Sequence, residues 1–368
     1  MAELFKNIYN LSFFNKIIPY VKKVVPYFEA EEFIRKIVDK DWEKKELKQR
    51  MRHITEVLHS CLKGTFSDQV AVITDVIDML EKEGIREESI EFMFFPDFIE
   101  MYGISQYEIS IKAIERITQF TSCEFAIRPF IIKYPEKTIS QMLLWSTHTH
   151  PMVRRLATEG CRPRLPWAMA LPELKKNPAP ILAILEQLKT DESASVRRSV
   201  ANNLNDISKD NPEIVIDLVQ KWKGISKEVD WVVKHASRTL LKAGNTKVLQ
   251  LFGFGAVDMI TISDFTIHTP TVIIGDALRF SFLVKNTSSH AIKIRVEYGL
   301  YYMKANGQLA KKVFKISEKS YAGNSVTPIS RKQSFKIITT RKFYVGKHKI
   351  SLILNGKEQE AHEFLLVK

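Results

Sequence analysis

The segment "VRRLATEG", residues 153–160, is followed by two related segments, "VRRSVANN" at 196–203 and "VVKHASRT" at 232–239. Their first valines are 43 and 36 residues apart. Apolar residues recur at helical spacing within these segments and along the rest of the chain up to about residue 250. Helical repeats of about 40 residues are typical of HEAT-like solenoids. We therefore predict an all-α HEAT-like helical solenoid over residues 1–253.

The apolar pattern changes to alternation from residue 257 onward, which predicts β-strands. Asn306-Gly307 and Asn355-Gly356 separate such runs, and both pairs favour hairpin turns in which the two central residues have positive φ. Seven or eight short strands in roughly 110 residues are typical of an immunoglobulin-like β-sandwich. We assign this all-β domain to residues 257–368, with the junction at 251–257. The runs that share one face of a strand are Leu278, Phe280, Phe282 and Val284, and Ile292, Ile294, Val296, Tyr298 and Leu300.

The net charge of +13 is concentrated in the second domain. Residues 254–368 contain 18 Lys and Arg against 8 Asp and Glu, whereas residues 1–253 contain 37 against 34. Such an excess attracts polyanions such as nucleic acid, although a solvated soluble surface remains an alternative. We expect Arg331, Lys332, Arg341 and Lys342 to bind DNA. The cations between 311 and 349, where Glu318 is the only acid, are Lys311, Lys312, Lys315, Lys319, Arg331, Lys332, Lys336, Arg341, Lys342, Lys347 and Lys349.

Other features exclude several classes of protein. No uncharged apolar run approaches the length that spans a bilayer, and the charged N-terminus does not resemble a signal peptide, so we expect a cytoplasmic protein. Cys61, Cys123 and Cys161 are widely spaced, which argues against a structural zinc site and predicts buried thiols. His148 and His150 lack a third ligand at suitable spacing, which favours a solvated loop over a metal site.

The repeats place cations at equivalent positions. The third residue of each segment, Arg155, Arg198 and Lys234, points away from the apolar face of its helix, which predicts a phosphate-binding ladder. The alternative is a surface pair between Arg155 and Glu159, four residues apart. The seventh residue of each segment is Glu159, Asn202 or Arg238, so we include Arg238 among the DNA contacts.

A loop rich in arginine and proline follows the first repeat segment. Pro163 and Pro166 stiffen it, so its guanidinium groups can be held without a large ordering cost. This composition favours contact with a phosphodiester backbone. The arginines assigned to this contact are Arg154, Arg155, Arg162 and Arg164.

Three further residues could serve chemistry or structure. A helical wheel places Asp206 beside Arg198 on the polar stripe, where it could stabilise a developing positive charge or act as a counter-ion. Trp167 could stack on a base, although inward packing is the commoner behaviour of a tryptophan. Glu124 could form an ion pair with Arg128 four residues later.

Four stretches resemble the AlkC-type DNA alkylation-repair glycosylases, in the branch with an appended immunoglobulin-like domain. The resemblance covers essentially the whole chain, and its arginine-proline-tryptophan motif is specific. The stretches are "WEKKELKQRMRHIT" (42–55), "TSCEFAIRPFI" (121–131), "HPMVRRLATEGCRPRLPWAMALP" (150–172) and "SVRRSVANNLNDISKDNP" (195–212).

The resemblance implies removal of cationic N-methylated bases, such as 3-methylcytosine and 3-methyladenine, from double-stranded DNA in base excision repair. It places Glu124, Trp167 and Asp206 at the family's active-site positions. We expect a bacterial, nucleoid-associated monomer that needs no metal or organic cofactor, because water is the only second substrate. The alternative is a non-catalytic HEAT-repeat adaptor that binds nucleic acid or protein, since its basic surface would look the same.

Overall fold

The computed structural model describes residues 4–88, 90–337 and 342–368. The chain divides into two compact units, Met1–Val215 with Lys221–Ala236, and Ile216–Gln220 with Ser237–Lys368. Within the described ranges, all helices precede all strands, so the predicted succession of an α part and a β part is confirmed. None of these helices is long and apolar enough to cross a membrane.

The described residues contain sixteen α-helices and two short 3-10 helices, Phe5–Ile8 and Trp42–Lys44. Several helices begin with the expected signals: Asn10 caps the first helix by accepting from the amide of Phe13, and Thr65 forms a capping box with Asp68. The α-helices are α1 (Leu11–Val24), α2 (Ala30–Ile37), α3 (Leu47–Cys61), α4 (Phe66–Lys82), α5 (Phe94–Tyr102), α6 (Tyr107–Ile117), α7 (Arg128–Lys133), α8 (Pro135–Trp145), α9 (Pro151–Glu159), α10 (Pro172–Lys176), α11 (Ala179–Leu188), α12 (Ala194–Ile207), α13 (Pro212–Trp222), α14 (Lys227–Ala236), α15 (Arg238–Lys242) and α16 (Thr246–Leu251).

The three repeat segments lie on α9, α12 and α14, and α12 packs against both of the others. Their first valines, Val153, Val196 and Val232, are all buried, as expected for the inner face of each helix. The third segment departs from the pattern, because α14 ends at Ala236 and Arg238 begins a new helix. Arg238 is therefore not on the same helix as Lys234. The HEAT type of the repeat stays a prediction.

Eight strands form a three-stranded sheet in the order β1-β3-β6 and a five-stranded sheet in the order β2-β8-β7-β4-β5. Alternating side chains from both sheets share one hydrophobic core, which confirms the predicted sandwich. The predicted inward faces of β3 and β4 contribute directly to this core. The strands are β1 (Ile260–Ile267), β2 (Thr271–Ile273), β3 (Ala277–Asn286), β4 (Ile292–Met303), β5 (Leu309–Tyr321), β6 (Ser325–Ser334), β7 (Gly346–Leu354) and β8 (Lys357–Val367).

The two predicted hairpin turns differ in geometry. Asn355 and Gly356 have φ values of 44° and 80° and form a two-residue turn between β7 and β8, as predicted. Between β4 and β5 only Gly307 has positive φ, at 76°, and the amide of Lys304 donates to the carbonyl of Gln308. The turn between β4 and β5 is therefore a longer loop in which glycine alone takes the left-handed conformation. The prediction that Asn306 also has positive φ was wrong.

The change from helix to strand falls between the end of α16 at Leu251 and the start of β1 at Ile260. This interval contains the predicted junction at 251–257. The compact units are divided elsewhere, so that α15 and α16 belong to the same unit as the strands. The domain boundary placed at residue 253 therefore stays a prediction.

Candidate active site

Glu124 lies in the segment between α6 and α7. Its carboxylate is 2.9 Å from Nη2 of Arg155 and accepts a 2.8 Å hydrogen bond from the hydroxyl of Ser122. The side chain is 18% exposed, so part of it reaches solvent. The predicted pair with Arg128 does not form, because the guanidinium of Arg128 binds backbone carbonyls instead. Glu124 is thus joined to α9, a part of the chain some thirty residues later.

Arg155 begins a chain of alternating charges that ends on α12. Besides Glu124, the guanidinium of Arg155 contacts Glu159, the partner considered from sequence, but only at 4.0 Å. Glu159 lies 2.5 Å from Nη1 of Arg162, which in turn contacts Asp206 at 2.8 Å. We call Glu124, Arg155, Glu159, Arg162 and Asp206 the charge chain. It places both predicted catalytic carboxylates in one connected set of side chains.

Asp206 stands at the inner end of the charge chain. Its side chain is only 2% exposed, and it is held by Arg162 and by Nζ of Lys209 at 2.9 Å. The helical wheel put Asp206 on the polar stripe of α12, but the side chain is buried there, because the loop after α9 brings Arg162 onto it. The counter-ion interpretation describes its contacts in this structure.

Burial of the charge chain is offset by the pairing of its members. Taking carboxylates and guanidinium groups out of water costs several kcal/mol per ion unless each finds close partners. Glu159 is satisfied by Arg162 and by the hydroxyl of Ser199, which donates at 2.5 Å. Burial by itself lowers the pKa of Arg162, but the adjacent carboxylates of Glu159 and Asp206 outweigh it and raise that pKa. The arginine therefore remains charged.

Trp167 lies in the loop between α9 and α10, and its side chain is 65% exposed. Its backbone has φ of 65°, a left-handed conformation that a residue with a Cβ adopts only at a cost. Its carbonyl accepts a 2.6 Å hydrogen bond from Nζ of Lys48 on α3. The expectation that a lone tryptophan packs inward was wrong here, because the indole is exposed to solvent.

Several arginines predicted to bind phosphate are occupied by protein groups. Arg154 is buried and binds both oxygens of Asp191, at 2.6 and 3.1 Å, together with the carbonyls of His148 and Thr149. Arg162 belongs to the charge chain, and the exposed Arg164 holds Asp210 through two hydrogen bonds. Arg154 and Arg162 are therefore unsuited to the predicted phosphate contact, because folding has already buried and paired them.

The remaining predicted cations are more accessible. Arg198 is exposed on α12 and forms no ion pair within the described ranges, whereas Lys234 and Arg238 are half-buried. Arg331 and Lys332 are exposed on β6, and Arg331 donates to the carbonyls of Ser330 and Ile316. Exposed Lys342 lies with its ammonium 5.4 Å from the ring of Tyr344. Arg341 lies outside the described residues.

The structure shows the hydrogen bonds of the two histidines and the burial of the three cysteines. His148 and His150 accept hydrogen bonds from the amides of His150 and Met152, so both serve the start of α9. Cys123 and Cys161 are buried as predicted, and burial raises the pKa of Cys161 to about 12. Cys61 is only half-buried, contrary to the prediction, because it is the last residue of α3.

Sequence reasoning missed three residues of this region. Glu159 was read only as a neighbour of Arg155, yet it links Arg155 to Arg162. Arg128 was considered only as an ion-pair partner of Glu124 and Lys48 received no role, although both bind the loop that carries Trp167. Lys48 and Arg128 do lie within two of the stretches quoted for the resemblance, which is the one signal that could have directed attention to them.

Comparison with known proteins gives a consistent assignment. A family model described as DNA alkylation repair enzyme matches residues 21–244, and a model of the C-terminal Ig-like domain of the uncharacterised protein YhaZ matches residues 261–368. The chain is 41% identical over 364 residues to the uncharacterised protein YhaZ of Bacillus subtilis (strain 168), covering 99% of each.

Among solved structures, the alkylpurine DNA glycosylase AlkC of Pseudomonas fluorescens, bound to DNA containing an abasic site analog, matches with a TM-score of 0.91. The identity is 33%, and the match covers 100% of both chains. The family model, the relative and the structural match agree with the resemblance inferred from the four sequence stretches. The chain therefore belongs to the DNA alkylation repair enzyme family, in the form that carries a C-terminal Ig-like domain.

Proposed function

We propose that this protein is a DNA glycosylase that hydrolyses the N-glycosidic bond of cationic N-alkylated bases, 3-methylcytosine and 3-methyladenine, in double-stranded DNA. The observation that carries the proposal is the charge chain, which connects Glu124 with Asp206 in a member of the alkylation-repair family and includes Arg162 of the loop that carries the exposed Trp167. The AlkC structure, whose DNA contains an abasic site analog, supports it, because an abasic site is what base removal leaves.

The proposed chemistry needs little acid catalysis. A 3-methylated base already carries a positive charge, so the bond between its nitrogen and the sugar C1′ can break with both electrons passing to the base. The base leaves as a neutral molecule, and positive charge develops on the deoxyribose. Water then adds to C1′ and loses a proton. Carboxylates near the sugar stabilise this cationic transition state and orient the water.

The two carboxylates are suited to different parts of this task. Glu124 is the more exposed of the two, so we assign to it the direct action on sugar and water. Asp206 is almost fully buried behind Arg162, so we propose that it acts through the charge chain, by fixing Arg162 and Glu159 and thereby the carboxylate of Glu124. Trp167 presents an indole face on which a base or sugar can stack.

Binding to the DNA backbone is proposed for the accessible cations. These are Arg198, Lys234 and Arg238 in the helical part of the chain and Arg331, Lys332 and Lys342 in the β part. Contacts of this kind position a protein on DNA without reading its sequence. Their strength should therefore be similar for undamaged and alkylated duplexes.

The decisive test is release of free base. Alkylated duplex DNA is incubated with the protein, and free 3-methylcytosine and 3-methyladenine are detected by chromatography, with a uracil-containing duplex as the neutral-lesion comparison. We expect both methylated bases to be released and uracil to be released poorly, since neutral bases need an acid to leave. Binding of DNA without release of any base would favour the adaptor alternative.

A matched pair of variants tests Glu124 itself. Glu124→Gln should reduce the single-turnover rate by about a hundredfold, as expected for a group worth about 3 kcal/mol in the transition state. Glu100→Gln is the control, because Glu100 is similarly exposed, at 19%, and also contacts an arginine, Arg52, at 3.1 Å. Equal rates in the two variants would remove Glu124 from the mechanism.

A further inference from the structure

The loop that carries Trp167 is fastened by a single guanidinium. Arg128 on α7 donates from Nη1 to the carbonyls of Gly160 at 2.8 Å and Arg162 at 2.9 Å, where the loop leaves α9. Its Nε donates at 2.7 Å to the carbonyl of Met169, just beyond Trp167. One side chain therefore connects the two ends of a ten-residue segment, 160–169.

Arg128 makes these three hydrogen bonds to the loop without a carboxylate partner. Its side chain is 0% exposed, its three hydrogen-bond acceptors are neutral carbonyls, and Nη2 has no partner within the described residues. Burial lowers the pKa of Arg128 to about 10. An apolar side chain of similar volume would avoid this desolvation cost but would leave the three carbonyls without these donors, so the arginine is tied to the conformation of the loop. Its fork of donors is suited to holding several carbonyls in a fixed arrangement.

Lys48 fastens the middle of the same loop. Its Nζ donates to the carbonyl of Trp167 at 2.6 Å and lies 4.6 Å from the centre of the Phe125 ring. The left-handed backbone of Trp167 is unfavourable for a residue with a Cβ, and its exposed indole gains little burial energy in return. Such a conformation persists only where the surroundings fix it.

We propose that Arg128 and Lys48 are positioning residues that hold Trp167 in its left-handed conformation and so present its indole to DNA before DNA binds. This inference rests on the proposed role of Trp167 in glycosylase action. A loop ordered in advance loses little conformational entropy on binding, and a correctly placed stacking surface lowers the barrier to reaction. Pro163 and Pro166 act in the same direction by restricting the unbound loop.

The test observes Trp167 in the free protein, where no DNA contact can interfere. The chain contains five tryptophans, so labelling with 5-fluorotryptophan gives five ¹⁹F NMR resonances, and Trp167→Phe identifies the one from Trp167. Lys48→Met should shift or broaden this resonance and leave those of the buried Trp145 and Trp222 unchanged. Lys48→Arg keeps a donor and should retain the wild-type resonance.

Lys63→Met is the matched control. Lys63 is also an exposed lysine whose Nζ lies over an aromatic ring, 4.5 Å from the centre of Tyr27, but it makes no contact with the Trp167 loop. Its substitution should leave the Trp167 resonance in place. An unmoved resonance in Lys48→Met, or an equal change in Lys63→Met, would overturn the positioning role.

Kinetics separate this inference from the function it rests on. Lys48→Met should lower the single-turnover excision rate roughly tenfold without changing the salt dependence of DNA affinity, because the lost contact is to a carbonyl and not to phosphate. Arg128→Lys should perturb the same resonance, since an ammonium cannot span three carbonyls. If Trp167→Ala keeps the full rate while Lys48→Met still moves the resonance, positioning stands and the proposed role of Trp167 fails.

Discussion

The helical and β parts of the chain contain similar kinds of cations but use them in opposite ways. In the helical part, 37 basic residues face 34 acids, and Arg154, Arg162 and Arg164 each hold a carboxylate. In residues 254–368, 18 basic residues share 8 acids, to the point that Glu363 serves both Lys347 and Lys349.

This difference separates two roles of a cation: fixing the position of a neighbouring side chain and creating a long-range electrostatic potential. A paired, buried arginine contributes little to the long-range potential but fixes the position of its partner. Exposed cations that outnumber the nearby acids do the reverse: they attract a polyanion from a distance and order little. We therefore expect the helical part to determine the chemistry and the β part to supply salt-dependent affinity for DNA.

The strongest test of this comparison is Asp206→Asn. The variant should lose about a hundredfold in single-turnover excision, because neutralising the inner end of the charge chain releases Arg162 and Glu159 from their present arrangement. It should also lose about 3–5 kcal/mol of folding stability, measured by denaturant unfolding.

Asp97→Asn is the matched control for Asp206. Asp97 is equally buried, at 2% exposure, and its carboxylate lies 2.7 Å from Arg52. It should show a similar loss of stability with an excision rate within a few-fold of wild type, compared at a temperature where both variants are folded. Equal losses of rate would mean that the charge chain matters only for folding, and the comparison would fail at its main point.

A second effect, of on the order of 1–3 kcal/mol, concerns pH. Glu87 accepts hydrogen bonds from the hydroxyl of Thr121 and the amide of Phe92, and burial raises its pKa to about 7, with nearby Glu91 and Glu124 adding to the rise. The folded protein therefore binds one more proton than the unfolded chain between about pH 4.5 and 7. The contribution of the protonated Glu87 carboxyl to the free energy of unfolding is complete below that pH range and is lost as the pH rises through 7.

Glu87→Gln should remove this loss, so that the free energy of unfolding falls less between pH 5 and 8 than in the wild type. Glu83→Gln, which changes an exposed carboxylate at the end of α4, should leave the pH profile unchanged. Parallel profiles for wild type and Glu87→Gln would show that buried charge does not govern the pH response of the helical part.

The smallest effect tests the β part. Replacing Arg331 and Lys332 together by glutamine should lower the slope of log K against log salt by up to about 1.8, or about 0.9 for each lost phosphate contact. Arg164→Gln should change the slope little, because Arg164 already holds Asp210. Fluorescence anisotropy titrations of undamaged duplex at several salt concentrations measure both. A larger change for Arg164→Gln would reverse the comparison.

Point substitutions are preferable here to removal of residues 257–368. The compact unit that contains the strands also includes Ser237 to Gly255 and a short piece of α13, so a cut at 257 would divide it. Loss of binding in such a deletion would combine lost phosphate contacts with damaged folding.

The sequence predicted what depends on local pattern. Helical periodicity, strand alternation and the Asn355-Gly356 turn are properties of a few neighbouring residues, and each is confirmed. The ion pairs could not be predicted in this way, because Arg162 and Asp206 are 44 residues apart and Arg164 and Asp210 are 46 apart. A helical wheel describes one helix and contains no information about a loop that folds over it.

Trp167 shows the same limit at a single residue. Average behaviour favours a buried tryptophan, and nothing in "RPRLPWAM" indicates that φ is positive at this position. The conformation depends on Arg128 and Lys48, which lie 39 and 119 residues earlier in the chain. Family resemblance makes Trp167 a site candidate for a reason that local physics does not contain, and its role in the site stays a prediction.

The two Asn-Gly turns also differ in how they should age chemically. The amide nitrogen of a following glycine can attack an asparagine side chain and expel ammonia, and water then opens the resulting cyclic imide to leave an acidic residue. Asn355 is shielded, because it is buried, its oxygen accepts from the amide of Arg295 and its nitrogen donates to Gly255. Asn306 is exposed at the tip of the β4–β5 hairpin, beside Lys304 and close in sequence to Lys311 and Lys312. Stored protein should therefore acquire negative charge at Asn306 first, within the lysine-rich surface on which its attraction to DNA is proposed to depend.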